Sequence, residues 1–312
     1  MRHGYLAVDF FFLLSGFVVG YAYDDRWNSM TVWQFFRIRL IRLHPMVILG
    51  VLIGAICFWL DPFANLRPAY TFIDLAIALF LGWLLLPSPD IRGWGETHQL
   101  NGPCWSLLQE YFANILYGLF IRKFNKRSLW ILVILSAVAL TWVANKRGDV
   151  GTGWSYATFR IATVRMMFPF FAGLLLFRTG KLIRIPMAFT ICSLLLALIF
   201  FIPHIKYNGL YEAASIILVF PVIVAMGAGG NISGIWIKIC KFSGDISYPI
   251  YITHYPFIYI YTMWVADKKP THAQIIPVAT GLFFFFILLA WIALKWYDEP
   301  VRKQLKQKFA TR

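Results

Sequence analysis

Ten stretches of this chain are apolar and near the length of a bilayer crossing: 5–23, 44–60, 71–86, 103–121, 129–144, 157–177, 186–203, 210–227, 246–266 and 275–297. A helix needs about 17–25 such residues to cross. Lipid offers the backbone no hydrogen-bond partner, so a crossing segment must satisfy its own amides and carbonyls. No long polar segment interrupts the runs, and no internal repeat is visible. The expectation is an all-α, polytopic integral membrane bundle with nine or ten transmembrane helices. It forms a single domain over 1–312 with no appended soluble domain.

Composition agrees. Apolar residues make up 60% of the 312 and charged residues 14%, and the mean hydropathy is +0.66. Soluble domains carry about 25% charged residues. The net charge of +15 does not point to nucleic acid, because the basic residues gather in short connectors rather than on one solvated face. They fall at Arg37, Arg39 and Arg42; at Arg122, Lys123, Lys126 and Arg127; at Arg178, Lys181 and Arg184; and in the tail from Arg302 to Arg312. Connectors of this kind face the cytoplasm. A cytoplasmic C-terminus puts 228–245, 178–185 and 122–128 on the same side. The same count leaves 24–43 outside despite its arginines, so one apolar run between 44 and 102 is expected to be re-entrant or interfacial.

The start of the chain is read as a retained helix rather than a cleaved signal, because Asp9 interrupts the apolar run and no small-x-small site follows. The four cysteines, Cys57, Cys104, Cys192 and Cys240, show no metal spacing. No metal and no bound cofactor are expected.

Asp9, Glu110, Arg165 and His254 lie within these apolar runs. A charge at mid-bilayer costs roughly 2.5–3.5 kcal/mol on the lenient scale, so such residues face a wet cavity, pair, or handle substrate. Ser106, Glu110, Asn114 and Tyr117 recur at helical spacing behind Pro103 and share one face. Glu110 either pairs with an intramembrane arginine or orients or deprotonates a substrate group. Arg165, Pro169 and Gly173 share another face, where Gly173 permits close helix approach. Arg165 either neutralises Glu110 or Asp9 or binds an anionic group. Ser247, Tyr251, His254 and Tyr261 are expected on one face, with His254 either hydrogen-bonded in the core or catalytic. Residues 31–43 read as a helix lying in the interface, with Trp33, Phe36, Leu40 and Leu43 on its apolar face. Its arginines serve either lipid headgroups or a phosphorylated cytoplasmic cosubstrate.

Five segments in order resemble acyltransferase family 3, a family of integral membrane enzymes. They are Gly4-Tyr-Leu-Ala-Val-Asp9-Phe-Phe-Phe-Leu-Leu-Ser15-Gly16-Phe17; Phe36-Arg37-x-Arg39-x-x-Arg42-Leu-His-Pro45; Trp105-Ser106-Leu107-x-x-Glu110; Ser247-Tyr248-Pro249-Ile-Tyr251-x-x-His254-x-Pro256; and Tyr297-Asp-Glu299-Pro300-x-Arg302. The resemblance implies transfer of an acyl group, commonly acetyl, from cytoplasmic acyl-CoA to a hydroxyl of a carbohydrate, glycolipid or cell-surface polysaccharide. It implies a bacterial inner-membrane location. Glu110, His254 and Asp9 become the candidate catalytic side chains. Arg37, Arg39, Arg42, Arg165, Trp105, Ser106 and Tyr251 become the candidate substrate-binding ones, the first three for the CoA phosphates.

The family's main catalytic His belongs to a helix that precedes the Gly-Tyr-Leu-Ala-Val-Asp segment, eleven residues after an Arg. This sequence begins at Met1, three residues before that segment. His3 falls in the connecting loop and has no such Arg ahead of it. The expectation is that the 312-residue chain lacks that His and is inactive or nearly so. The alternatives are a transporter or flippase of a lipid-linked sugar, and a non-catalytic scaffold.

Overall fold

The computed structural model describes residues 2–63 and 68–310, so Met1 and Arg312, at the two ends of the chain, lie outside the described residues. Among the described residues the regular secondary structure is helical, apart from one isolated bridge, Glu96 with Ser155. The helices are α1 (Ala7–Tyr23), α2 (Val32–Trp59), α3 (Phe72–Trp83), α4 (Cys104–Leu119), α5 (Lys126–Arg147), α6 (Phe159–Thr179), α7 (Ala188–Phe201), α8 (Asn208–Ala214), α9 (Phe220–Gly229), α10 (Ile235–Thr253), α11 (Tyr255–Lys268), α12 (His272–Ile292) and α13 (Glu299–Ala310). Among the described residues, six helical stretches are long and apolar enough to cross a membrane: Gly4–Arg26, Val32–Trp59, Lys126–Arg147, Phe159–Thr179, Asn208–Gly229 and His272–Phe309. The other runs form shorter or more polar helices, namely α3, α4, α7 and the pair α10 and α11.

What surrounds the bundle is legible from α5. Leu129, Val133, Leu140 and Val143 are buried, while Trp130, Ile131, Ile134, Leu135, Val138 and Trp142 on the opposite side are exposed. A helix apolar all round, with its outward face bare of charge, belongs in lipid. The same holds for α12, where Ile276, Phe283, Phe284, Leu288 and Trp291 face outward. The protein is an integral membrane protein.

Two departures from the sequence reading concern breaks. Residues 31–43 do not form a separate interfacial helix, because α2 runs unbroken through Pro45. Arg39 is buried rather than on a polar outer face, and Trp33 and Leu40 point outward. The run 246–266, in contrast, is two helices, with His254 between them. Pro256 lacks the N–H that would bond the Ile252 carbonyl. Asn101 Nδ2 donates to that oxygen instead, at 2.7 Å. Tyr261 therefore does not share a helix face with Ser247 and Tyr251. Elsewhere a π-turn absorbs the disruption ahead of a proline: Ser215–Val219 precedes Pro221, and Ala293–Asp298 precedes Pro300.

The chain divides into two compact units. The first comprises Met1–Phe36, Gln109–Gly153 and Ala157–Gly234. Its centre is the parallel pair α1 and α6. A Cβ on Gly16 would stand 1.9 Å from the Phe170 carbonyl oxygen, and one on Gly173 would stand 2.0 Å from that of Leu13. Only glycine allows the two backbones this close. The second unit comprises Arg37–Leu108, Trp154–Tyr156 and Ile235–Arg312. Here α10 packs on α12 around Ile246 and Ala290. The 84–103 connector is pinned to residues 154–156 by Thr97 N–H to the Trp154 carbonyl, 3.0 Å, and Tyr156 N–H to that of Gly95, 2.9 Å.

Candidate active site

In the first unit, Arg165 and Asp9 meet as a fork on a fork. Arg165 Nε donates to Asp9 Oδ1 at 2.8 Å and Nη2 to Oδ2 at 2.7 Å. The side chains are 2% and 0% exposed. The guanidinium also donates to the carbonyls of Thr152, 2.9 Å, and Tyr5, 2.8 Å. Of the two carboxylates open to Arg165 from the sequence, Asp9 is thus its partner. A fully occupied fork of this kind positions its surroundings.

Glu110 accepts a hydrogen bond from Ser15 Oγ at 3.1 Å. One turn on, Asn114 Nδ2 donates to the Glu110 carbonyl at 2.7 Å. Tyr117, next on the same stripe of α4, receives Trp27 Nε1–H and donates to Asp24. Asp24 in turn holds Arg178 at 2.7 Å. Arg178 continues to the carbonyl of Phe124 at 2.9 Å and so ties the α4–α5 connector to the end of α6.

A third buried carboxylate, Glu212 on α8, is 0% exposed. It accepts from the Tyr5 hydroxyl, from Asn208 Nδ2 at 2.6 Å, from Val150 N–H at 2.7 Å and from His3 Nδ1 at 2.9 Å. Neither Glu212 nor His3 is among the side chains singled out from sequence for chemistry. The signal for Glu212 was present, since it is an acidic residue inside the apolar run 210–227. His3 was set aside for its place in a loop. Only the fold brings residues 209 positions apart together.

In the second unit, Ser106 Oγ and the Tyr251 hydroxyl lie 2.5 Å apart, and both reach the Pro103 carbonyl. Trp105, beside them in sequence, is buried. His254 Nδ1 lies 2.8 Å from the Ile250 carbonyl. A carbonyl accepts only, so that nitrogen carries the proton and Nε2 is the acceptor. The rings of Tyr255 and Phe286 meet the imidazole edge-on. Arg37 donates to the Phe309 carbonyl at 3.3 Å, near the end of α13. Arg39 is buried and Arg42 exposed.

The 84–103 connector holds a cluster that sequence reasoning passed over. The Arg92 guanidinium stands 3.8 Å over the Tyr259 ring and its Nε donates to the Gln99 carbonyl at 2.6 Å. The Tyr259 hydroxyl donates to Glu96 and accepts from Gly102 N–H at 3.0 Å. Burial pushes the Glu96 carboxyl above the usual carboxylate range, against the pull of the Tyr259 hydroxyl and Arg92. Burial likewise pushes His98 down to about 4. No group of three or more metal-ligating side chains occurs among the described residues.

The sequence profile of an acyltransferase domain, that of acyltransferase family 3, matches residues 2–295 of this chain. Protein 2 in picA locus of Rhizobium radiobacter is 32% identical over 145 residues, 44% of this chain and 76% of that protein. Acyltransferase MdmB of Streptomyces mycarofaciens is 30% identical over 130 residues, 41% of this chain. The matched part spans only 32% of MdmB. No solved structure matches this chain.

Proposed function

Since the chain belongs to acyltransferase family 3, we propose that it moves an acyl group, acetyl in the simplest case, from cytoplasmic acyl-CoA to a hydroxyl of a carbohydrate or cell-surface glycan. The chain then acts as one domain of nine or ten crossings in a bacterial inner membrane, with its C-terminus in the cytoplasm. The observation that carries the reading is the family match along nearly the whole chain, 2–295.

Within that reading each group has a task that its chemistry suits. Arg37, Arg39 and Arg42 bind the phosphates of acyl-CoA, because guanidinium forks match phosphate oxygens. Glu110, whose bond to Ser15 a substrate hydroxyl can replace, and His254, through Nε2, orient reacting groups. Asp9 and Arg165, already committed to each other, hold the first unit in register. Ser106, Trp105 and Tyr251 line the substrate's path. Attack on a thioester also needs a group to keep the proton that the hydroxyl gives up.

The test is release of free CoA thiol from acetyl-CoA by the purified chain, with a simple methyl glycoside as acceptor. Arg37→Ala and Arg42→Ala should each raise KM for acetyl-CoA about tenfold, the worth of a charge-assisted hydrogen bond. They should leave KM for acetyl-pantetheine, which lacks the phosphates, unchanged. Equal KM values for wild type and variants would remove these arginines from the phosphate site. Turnover of neither thioester, by the chain or by one extended with the family's preceding helix, would remove the acyltransferase reading.

A further inference from the structure

The isolated bridge between Glu96 and Ser155 decides which neighbouring side chains look outward. Its flanking bonds, Tyr156 N–H to the Gly95 carbonyl and Thr97 N–H to that of Trp154, pair Gly95 with Tyr156 and Thr97 with Trp154. Strand alternation then puts Trp154 and Tyr156 on the face opposite Glu96 and Ser155. Glu96 is buried, whereas Trp154 and Tyr156 are 41% and 48% exposed. Tyr156 is held by its tip as well as its backbone, since its hydroxyl donates to the Ser88 carbonyl. Across from it Gly95 has no side chain, and a Cβ there would meet nothing within 4 Å among the described residues. An open notch with an aromatic wall results. Asp90 stands at its rim. Its exposed carboxylate accepts from Gly93 N–H at 2.8 Å and from Gly95 N–H at 2.7 Å. Burial first, and then the nearby Asp90 charge, push the Tyr156 hydroxyl above its ordinary pKa, so the carboxylate and the ring are neighbours. Each Asp90 oxygen keeps a lone pair for a further donor. All of these residues belong to the second unit.

A pyranose has an apolar C–H face, which packs on an aromatic ring, and a rim of hydroxyls, which donate to a carboxylate. The connectors 84–103 and 148–158 carry Asp90, Glu96 and Asp149, no lysine, and one arginine, Arg92. Arg92 is buried over the Tyr259 ring. A phosphorylated headgroup would therefore meet a carboxylate at this rim, while a neutral sugar finds both of the contacts it needs. We infer that the notch is a carbohydrate subsite that binds one sugar of the acceptor glycan, with Trp154 and Tyr156 as stacking faces and Asp90 as hydroxyl acceptor. Residues 154–156 lie on the connector between α5 and α6, and Phe124 and Arg178 mark the far ends of those two helices. In the reading proposed above those far ends face the cytoplasm, so the notch lies on the side where a cell-surface glycan is met. Its task is to hold the glycan, and it takes no part in breaking the thioester. The inference rests on the acyl-transfer reading for calling the sugar an acceptor and on the geometry alone for the site.

Two measurements tell the site and the reaction apart. In the first, the purified chain in phosphatidylcholine nanodiscs is titrated with neutral tetrasaccharides of glucose, galactose, mannose, rhamnose and N-acetylglucosamine. At least one should bind saturably at millimolar concentration. Trp154→Ala, Tyr156→Ala and Asp90→Asn should each weaken that binding about tenfold, near the top of the range for an aromatic or charge-assisted contact. Trp154→Phe keeps an aromatic face and should stay within about threefold of wild type, which a folding defect would not explain. Binding of none of these sugars, or binding that Trp154→Ala leaves unchanged, would overturn the subsite. Weaker quenching by brominated phosphatidylcholine in Trp154→Phe than in wild type would overturn it too, because Trp154 would then lie in lipid as a membrane anchor. In the second, thiol release from acetyl-CoA is followed with the bound tetrasaccharide as acceptor. Trp154→Ala should raise its KM about tenfold and leave kcat within about twofold, the pattern of lost ground-state binding. An unchanged KM would overturn the assignment of the bound sugar as acceptor. Binding as expected without turnover, by the chain or by one extended with the family's preceding helix, would refute the acyl-transfer reading and leave the subsite standing.

Discussion

The Asp9–Arg165 fork is a bonded group whose members cannot be removed singly. Breaking a buried pair from one side strands the other charge and costs about 3–5 kcal/mol. Asp9→Ala should therefore lower thermal stability in detergent sharply, and Arg165→Met should do the same. The double variant recovers part of the loss, but not all. The carbonyls of Tyr5 and Thr152, which Arg165 also serves, would be left unsatisfied, each costing about 1–3 kcal/mol. Additive losses in the double-mutant cycle would contradict this. His98 makes a second prediction at the same scale. Its imidazole lies between Thr97 Oγ1 and the Leu85 carbonyl and titrates at about 4 instead of its ordinary 6.5. Between those values the unfolded chain binds more protons than the folded one, so stability present above pH 6.5 drains away as pH falls towards 4. The size is about 3 kcal/mol at 1.36 per pH unit. Glu96, shifted upward, acts in the opposite sense. Its contribution is present in acid and is lost as pH rises through its folded value. The melting temperature of His98→Gln should fall less than that of wild type between pH 6.5 and 4.5. Parallel curves for the two would show that His98 does not set the limb.

At the scale of the element, the α1–α6 pair shows what was legible and what was not. Gly173 reads from sequence as a point of close approach, because it shares a helical face with Arg165 and Pro169, and it is one. Replacing it with Ala places a methyl 2.0 Å from the Leu13 carbonyl oxygen. Such overpacking costs about 1–3 kcal/mol or more. Gly281 of α12 is the control, since a Cβ there meets nothing within 4 Å. Gly281→Ala should stabilise by up to about 1 kcal/mol through helix propensity, and Gly173→Ala should destabilise. The same sign for both would sink the packing account. Arg165's partner, by contrast, was open between two carboxylates. Periodicity gives a residue's face and says nothing of which helix lies against that face. Pro256 was visible too, but the break at His254 depended on Asn101 standing ready to take the Ile252 carbonyl.

Over the whole molecule, the helical class, the membrane setting and the family were all readable, because each is written in many residues at once. Ten apolar runs and five ordered segments tolerate local error. The span count was not so secure. Where α3 and α7 fall short of a full crossing and α2 extends past one, length alone does not say how the chain meets the lipid boundary. The Glu212–His3 contact lay furthest from view, being a meeting of a loop residue and a short helix 209 positions away.

That separation has a counterpart in biosynthesis. Asp9 leaves the ribosome 156 residues before Arg165, about 8–30 s at ordinary elongation rates. For that interval α1 carries an unpaired carboxylate that is unfavourable in lipid by several kcal/mol. Helix α1 is thus one that cannot settle alone. It must wait at the insertion machinery, or sit shallow with Asp9 towards water, until α6 arrives to dock against its glycines and draw it to depth.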